Sequence, residues 1–318
     1  MADWSTTVFV FPGQGSQQVG MAKDLYELYP AAREIFEQAD AMLGFALTKL
    51  CFEGPESDLN DTINTQPALY VSGIATLRAL CREIPEAMPA FVAGHSLGEF
   101  TALAAAGVFS FEDGLRLVRE RGRLMKAAGT QSPGAMAATL GLETEQARKV
   151  CAQASEKTGG VLVVANDNCP GQLVISGDEA TLDAAMGLAK EAGAKKVVKL
   201  AVSIAAHSPL MAPAAAEFRK ALNATTFQPP TMPVYGNVGA APLTTVEEIR
   251  EELERQLTNS VRWTESVRAM IAAGATRFVE LGPKDVLAGM MKRIDRSAPG
   301  SALNSAETLR AFVQENQN

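Results

Sequence analysis

The run Gly94-His95-Ser96-Leu97-Gly98 constrains this chain more than any other feature. It follows a short apolar strand, Phe91–Ala93, and opens a helix of small residues, Gly98–Ala106. A G-x-S-x-G run between a strand and a helix is the pattern of a nucleophile elbow. A turn that tight forces the serine into a strained conformation, and only a residue without Cβ fits on either side. The Ser96 hydroxyl is then exposed above a sheet. The N–H of Leu97 lies at the start of the next helix, where negative charge is favoured. The competing reading is a serine N-cap in a tight turn; the strand before and the helix after favour the nucleophile.

A serine hydroxyl needs a base to take its proton. The chain has two histidines, His95 and His207. His95 immediately precedes the serine, and neighbouring side chains diverge on a sharp turn, so His207 in Ala205-Ala206-His207-Ser208-Pro209 is the expected base. A group to orient it is less apparent. Asp113, Asp167, Asp178 and Asp183 fall between serine and histidine, none in a distinctive motif, and a backbone carbonyl could serve instead.

The remaining pattern predicts an α/β fold. Strands are expected at Thr6–Phe11, Phe91–Ala93, Val234–Asn237 and Arg277–Leu281, and they alternate with helices that include Gln66–Leu80, Phe111–Ala128, Val246–Leu257 and Trp263–Ala273. Such alternation implies a parallel sheet covered on both faces. From Ala135 the order becomes β-α-β-β-α-β, with strands at Ala135–Leu142, Val161–Ala165, Leu173–Ser176 and Lys196–Val202 and a turn at NDNCPGQ. That order is the split βαβ pattern of a ferredoxin-like unit. The expectation is a large α/β-hydrolase-like domain with a parallel sheet core over residues 1–128 and 201–318, and an inserted ferredoxin-like α+β subdomain over 129–200.

Composition narrows the function. A net charge of −7 argues against a nucleic-acid partner, since neutralising phosphates needs a basic surface. No apolar stretch is long enough to span a bilayer and no signal peptide is apparent, so a cytoplasmic protein is expected. Cys51, Cys81, Cys151 and Cys169 lie far apart with no CxxC pair, which reads as reduced thiols and no metal site. The Gly-rich turn PGQGSQ, Pro12–Gln17, completes neither a dinucleotide nor a Walker motif. Gln14 in that turn can instead offer an N–H to an oxyanion. Of the arginines on the helix after the elbow, Arg116, Arg119 and Arg123 share a face, whereas Arg121 turns away from it. A buried guanidinium needs an anionic partner, and a substrate carboxylate is a candidate.

Taken together, FPGQGSQ, AGHSLGE at the elbow, RG-x-x-M from Arg121, the distal histidine loop and N-x-V-x-W from Asn259 resemble malonyl-coenzyme A:acyl carrier protein transacylases of type II fatty acid synthesis. The resemblance runs in order along nearly the whole chain. It implies Ser96 as nucleophile, His207 as general base and acid, and the N–H groups of Leu97 and Gln14 as the oxyanion hole. It further implies Arg121 as receptor for the malonyl carboxylate and the Gln256 carbonyl as the group that orients His207.

By the same resemblance malonyl-coenzyme A and a holo acyl carrier protein are the expected partners. Coenzyme A then takes part as a thioester substrate, with no resident cofactor, and the enzyme is expected to be a monomer. Acyl carrier proteins are acidic, so a local basic patch is required. Lys190, Lys195, Lys196 and Lys199 on the insertion, with Arg116 and Arg119 on the preceding helix, are the candidate docking rim. Rival readings are a serine hydrolase such as a thioesterase, a free-standing polyketide acyltransferase, and a non-catalytic carrier-protein-binding module.

Overall fold

The computed structural model describes residues 3–317. Ten strands form two sheets. They are β1 (Thr7–Phe11), β2 (Phe91–Gly94), β3 (Gly134–Leu140), β4 (Leu162–Cys169), β5 (Gln172–Asp178), β6 (Lys196–Lys199), β7 (Val234–Tyr235), β8 (Pro242–Leu243), β9 (Arg277–Leu281) and β10 (Gly300–Leu303).

The larger sheet has the order β10-β9-β1-β2-β7-β8, parallel throughout except for the antiparallel edge strand β8. Its central strand is buried on both faces, which is why Thr7–Phe11 is apolar almost without interruption. Alternate residues feed different cores. Phe9 and Phe11 join the cluster built with the helices Thr62–Glu83 and Gly98–Ala105, among others. Val8 and Val10 join the one built with Trp263–Ala272 and Val286–Ile294. The chain moves from β1 to one side through β2 and β7, then returns to β1's other flank through β9. The strand order therefore reverses between β1 and β9, so the loop after the C-terminal end of β1, which carries Gln14, borders the usual place for a ligand in an open parallel sheet.

The smaller sheet is wholly antiparallel in the order β4-β5-β3-β6. One face carries Ala135, Ala137, Leu173 and Ile175 against the helices Thr144–Thr158 and Glu179–Glu191. From the opposite face Met136 and Val174 reach the first core and border the cleft between the sheets. The C-terminal half of β4 is sewn to the larger body. Asn166 bridges Val261, Asp167 N–H donates to the Val261 carbonyl at 2.9 Å, and the Thr264 hydroxyl donates to Asp167 Oδ1 at 2.6 Å.

Several elements differ from the sequence expectation. The helix expected from Gln66 begins at Thr62, capped by Asp61, and Pro67 lies inside it. Proline cannot donate to the carbonyl four residues earlier. The Ile63 carbonyl left over receives Arg119 Nη1 instead, so the helix continues without a break. The segment expected as the turn NDNCPGQ is strand as far as Cys169, held by its contacts with the larger body, and only Pro170 and Gly171 turn. Strand β6 stops at Lys199, and 200–205 is irregular. The sheet does not end at Leu281, because Gly300–Leu303 adds an edge strand whose small residues gave little apolar pattern. Among the described residues no helix is long and apolar enough to cross a membrane.

Candidate active site

The elbow is built as a set of backbone near-collisions. A Cβ at Gly94 would lie 1.9 Å from the backbone of Gly98, and one at Gly98 would lie 2.0 Å from the Phe11 carbonyl oxygen. The glycines let the strand, the turn and the next helix pass in contact. Ser96 between them adopts φ 52°, a left-handed conformation that a non-glycine residue holds only when its surroundings enforce it. Asn237, at the end of β7, supplies that enforcement. Its Oδ1 accepts the Ser96 N–H at 2.7 Å, and its Nδ2 donates to the Gly94 carbonyl at 2.7 Å.

Ser96 Oγ lies 2.7 Å from His207 Nε2. His207 Nδ1 faces two backbone carbonyls, Gln256 O at 2.9 Å and Asn259 O at 3.2 Å. Carbonyls only accept, so Nδ1 carries the proton and Nε2 presents a lone pair to the serine hydroxyl. Burial, and then the nearby Arg121 guanidinium, push the His207 pKa down to about 3, so the imidazole is neutral at physiological pH. None of the four aspartates considered from sequence orients it. Asp113 pairs with Arg116, Asp183 with Lys199, Asp167 receives Thr144 and Thr264, and Asp178 receives the Val161 N–H.

Arg121 turns inward and is only 2% exposed. Its Nη1 donates to Gln66 Oε1 at 2.9 Å, and its Nη2 donates to Gln256 Oε1 at 2.9 Å and to Ser96 Oγ at 3.1 Å. All of these acceptors are neutral, and the buried Nε has no partner among the described residues. Burial lowers the guanidinium pKa to about 10, which leaves it charged at neutral pH. A desolvated cation with no carboxylate in direct contact is poised to receive one.

These groups line a cleft of ≈ 190 Å³ together with Gln14, Leu97 and His95. Asn166 and Asn168 add two polar groups, and the rest of the wall is apolar: Met125, Met136, Val174, Leu200, Val202, Ile204 and Ala206. Among the described residues the backbone N–H groups of Leu97 and Gln14 meet no acceptor, although the Gln14 side chain accepts from Thr62 Oγ1 at 2.9 Å. His95 turns from the serine, and its Nε2 lies 2.8 Å from Asn168 Oδ1 on β4. No cluster of His, Cys, Asp or Glu able to hold a metal occurs among the described residues, and the four cysteines are free thiols.

Of the residues considered for docking, Lys190, Lys195 and Lys196 are exposed and form no ion pair among the described residues. The others have partners elsewhere. Lys199 pairs with Glu179 and Asp183, Arg116 with Asp113, and Arg119 is committed to Ile63 and Asn64. Arg116 and Arg119 border a crevice with Met42 and Leu43 that none of these lysines lines.

Gln66, Asn237 and Glu99 were missed in the sequence. Gln66 lies in an apolar helix, where a lone glutamine at a core position is itself a signal. Glu99 belongs to the elbow motif and is fully buried, an unusual place for an unpaired carboxyl.

Comparison with known proteins agrees with this geometry. A family model described as "Acyl transferase domain" matches residues 8–316. A malonyl CoA-acyl carrier protein transacylase of Bacillus subtilis is 43% identical over 310 residues, covering 98% of this chain and 97% of the relative. The crystal structure of a malonyl-CoA:acyl carrier protein transacylase from Xanthomonas oryzae is 45% identical, superposes with a TM-score of 0.94 and covers 99% of each chain. A malonyl-transacylase solved in complex with its type II PKS acyl-carrier protein is 39% identical at a TM-score of 0.94, covering 98% of this chain and 99% of that one. With a serine hydrogen-bonded to a histidine at a sheet's carboxyl edge and full-length likeness to these proteins, the chain belongs to the acyl transferase domain family and is an acyltransferase.

Proposed function

We propose that this enzyme transfers a malonyl group from coenzyme A to the phosphopantetheine thiol of an acyl carrier protein, through an ester on Ser96. The observation that carries the reading is the buried Arg121 guanidinium 3.1 Å from the Ser96 hydroxyl. A receptor for a carboxylate so close to the nucleophile suits a short acyl group with an acid at its far end, and malonyl, with one methylene between the two carbonyl carbons, is of that kind. The relatives' names agree with it.

His207 Nε2 takes the Ser96 proton as Oγ attacks the thioester carbonyl. The oxyanion is received by the N–H groups of Leu97 and Gln14, each donor worth ~3 kcal/mol in the transition state. The C–S bond then breaks, and His207 returns the proton to the departing thiol of coenzyme A. The carrier-protein thiol attacks the malonyl-serine by the same steps in reverse. Gln256 keeps the base in register through its carbonyl.

Arg121 has a second effect. Its charge is one of the causes that depress His207, so a carboxylate bound to it relieves that repulsion and makes the base stronger. Malonyl is thus favoured in the chemical step as well as in binding. Holding the acyl group by its far end also leaves little freedom for a water molecule to replace the incoming thiol.

On this reading residues 129–200 form an inserted subdomain, ferredoxin-like in its strand order, that roofs the cleft over the catalytic body, 1–128 and 201–318. Lys190, Lys195 and Lys196 on it receive the acidic carrier protein. The enzyme works in the cytoplasm as a monomer, with coenzyme A entering and leaving as substrate. Intact-protein mass measured after brief incubation with malonyl-coenzyme A tests the reading. The wild type should gain one malonyl group that holo carrier protein discharges, and Ser96→Ala should gain none. An unmodified wild type, with the thioester left intact, overturns it.

A further inference from the structure

Glu99 lies one turn beyond Ser96, fully buried, and takes no part in the steps above. Its two carboxyl oxygens have different partners. Oε1 accepts the backbone N–H of Asn237 at 3.2 Å, and Oε2 accepts from Gln256 Nε2. Each partner is itself a holding residue. Asn237 clamps the strained serine through both ends of its side-chain amide. Gln256 supplies the carbonyl for His207, receives Arg121 on its Oε1, and gives its second amide proton to the Ser96 carbonyl at 2.9 Å.

We infer that Glu99 is the positioning residue that sets nucleophile, base and carboxylate receptor in one register. The inference rests on the proposed roles of Ser96, His207 and Arg121. Its reasoning is one of hydrogen-bond inventory. Both oxygens of Glu99 face N–H donors, and a carboxylate is the side chain of this size that offers acceptors at both ends. An amide of the same shape would turn an NH₂ toward either Asn237 or Gln256, and one of the two supports would be driven off. Among the described residues no acid touches His207, and Glu99 stands one residue further back, against the side-chain amide of the same Gln256 whose backbone carbonyl meets the imidazole.

Burial, and then Glu252, push the Glu99 carboxyl well above the usual range. The hydrogen bonds from Gln256 and Asn237, and the charge of Arg121 beyond Gln256, act the other way and favour the form that accepts at both oxygens. Glu252 is itself held by the N–H groups of Val238 and Gly239, in the loop that carries Asn237.

The test compares Glu99→Gln with Glu280→Gln, both assayed per folded molecule. Glu280 is an equally buried carboxyl on β9 that holds the Ala288 N–H and makes no contact with the site among the described residues. A displacement of about 1 Å in a reacting group costs on the order of 10²-fold. Glu99→Gln should therefore lower the rate of Ser96 acylation by roughly that factor with malonyl-coenzyme A and with acetyl-coenzyme A alike. It should also narrow the malonyl-to-acetyl ratio, because Arg121 loses its fixed partner. Glu280→Gln should lower thermal stability and leave both quantities unchanged. Wild-type acylation and preference in folded Glu99→Gln, with Ser96→Ala inactive, would refute the positioning role alone. Acylation persisting in Ser96→Ala would instead remove the reading on which it rests.

Discussion

Replacing Arg121 by alanine isolates the claim that selectivity comes from a buried cation. The guanidinium is 2% exposed and keeps its fork among neutral oxygens, so a bound carboxylate would replace neutral acceptors by an anionic one. Hydrogen bonds to a charged group contribute ~1.5–3 kcal/mol each, so a bidentate pair amounts to roughly 3–6 kcal/mol. At about 1.4 kcal/mol per factor of ten, kcat/KM for malonyl-coenzyme A should fall by roughly 10²–10⁴. Acetyl-coenzyme A lacks the carboxylate and loses only what Arg121 provides through Ser96 and Gln256, about tenfold. The ratio of the two kcat/KM values, measured on folded enzyme, should thus drop by at least about tenfold. Arg121→Lys should fall between, because an ammonium keeps the charge without the fork. If both variants kept the wild-type ratio, the carboxylate would be bound elsewhere and the argument from burial would be wrong.

Other outcomes follow from the same geometry. Because the folded-state pKa of His207 is depressed to about 3, the native protein refuses a proton that the unfolded chain accepts below about 6.5. Stability should accordingly be complete above that pH and decline as pH falls toward 3, and His207→Gln should flatten this part of a denaturant-midpoint profile. The acid limb of kcat/KM for acetyl-coenzyme A should lie well below pH 6.5; a limb at 6.5 would mean that the histidine is not desolvated. Gly94→Ala sets a methyl 1.9 Å from backbone and should destabilise by ~3 kcal/mol or more by urea unfolding. Lys195→Glu with Lys196→Glu should raise KM for carrier protein while leaving KM for malonyl-coenzyme A unchanged, and equal changes in both would remove these lysines from the docking surface.

The elbow was legible because its requirement is written in adjacent residues, with two glycines whose missing Cβ atoms are what the packing needs. Its supports were not. Asn237 and Gln256 act from 141 and 160 positions away, and no local pattern marks an asparagine that will meet a serine N–H. The acid was hidden for a different reason: Glu99 stands behind the Gln256 amide and does not touch His207. Near-continuous apolar runs made β1 and β9 readable, but β10 is short, at an edge, and built of Gly, Ser, Ala and Leu, so its hydrogen bonds to β9 had no counterpart in hydrophobic pattern. Arg119 looked like a surface charge, and its real work is to occupy a carbonyl that Pro67 cannot reach.

The stitching of β4 to the larger body makes the two sides of the cleft mechanically unlike. On one side Asn166, Asn168 and His95 are fixed to helix and sheet by hydrogen bonds that cross between the sheets. On the other, Leu200, Val202 and Ile204 stand on irregular backbone that leads straight into His207. On the proposed mechanism the irregular wall also carries the base. A branched acyl group pressed against it should displace the imidazole, and a substitution at Leu200, Val202 or Ile204 that widens the substrate range should slow Ser96 acylation.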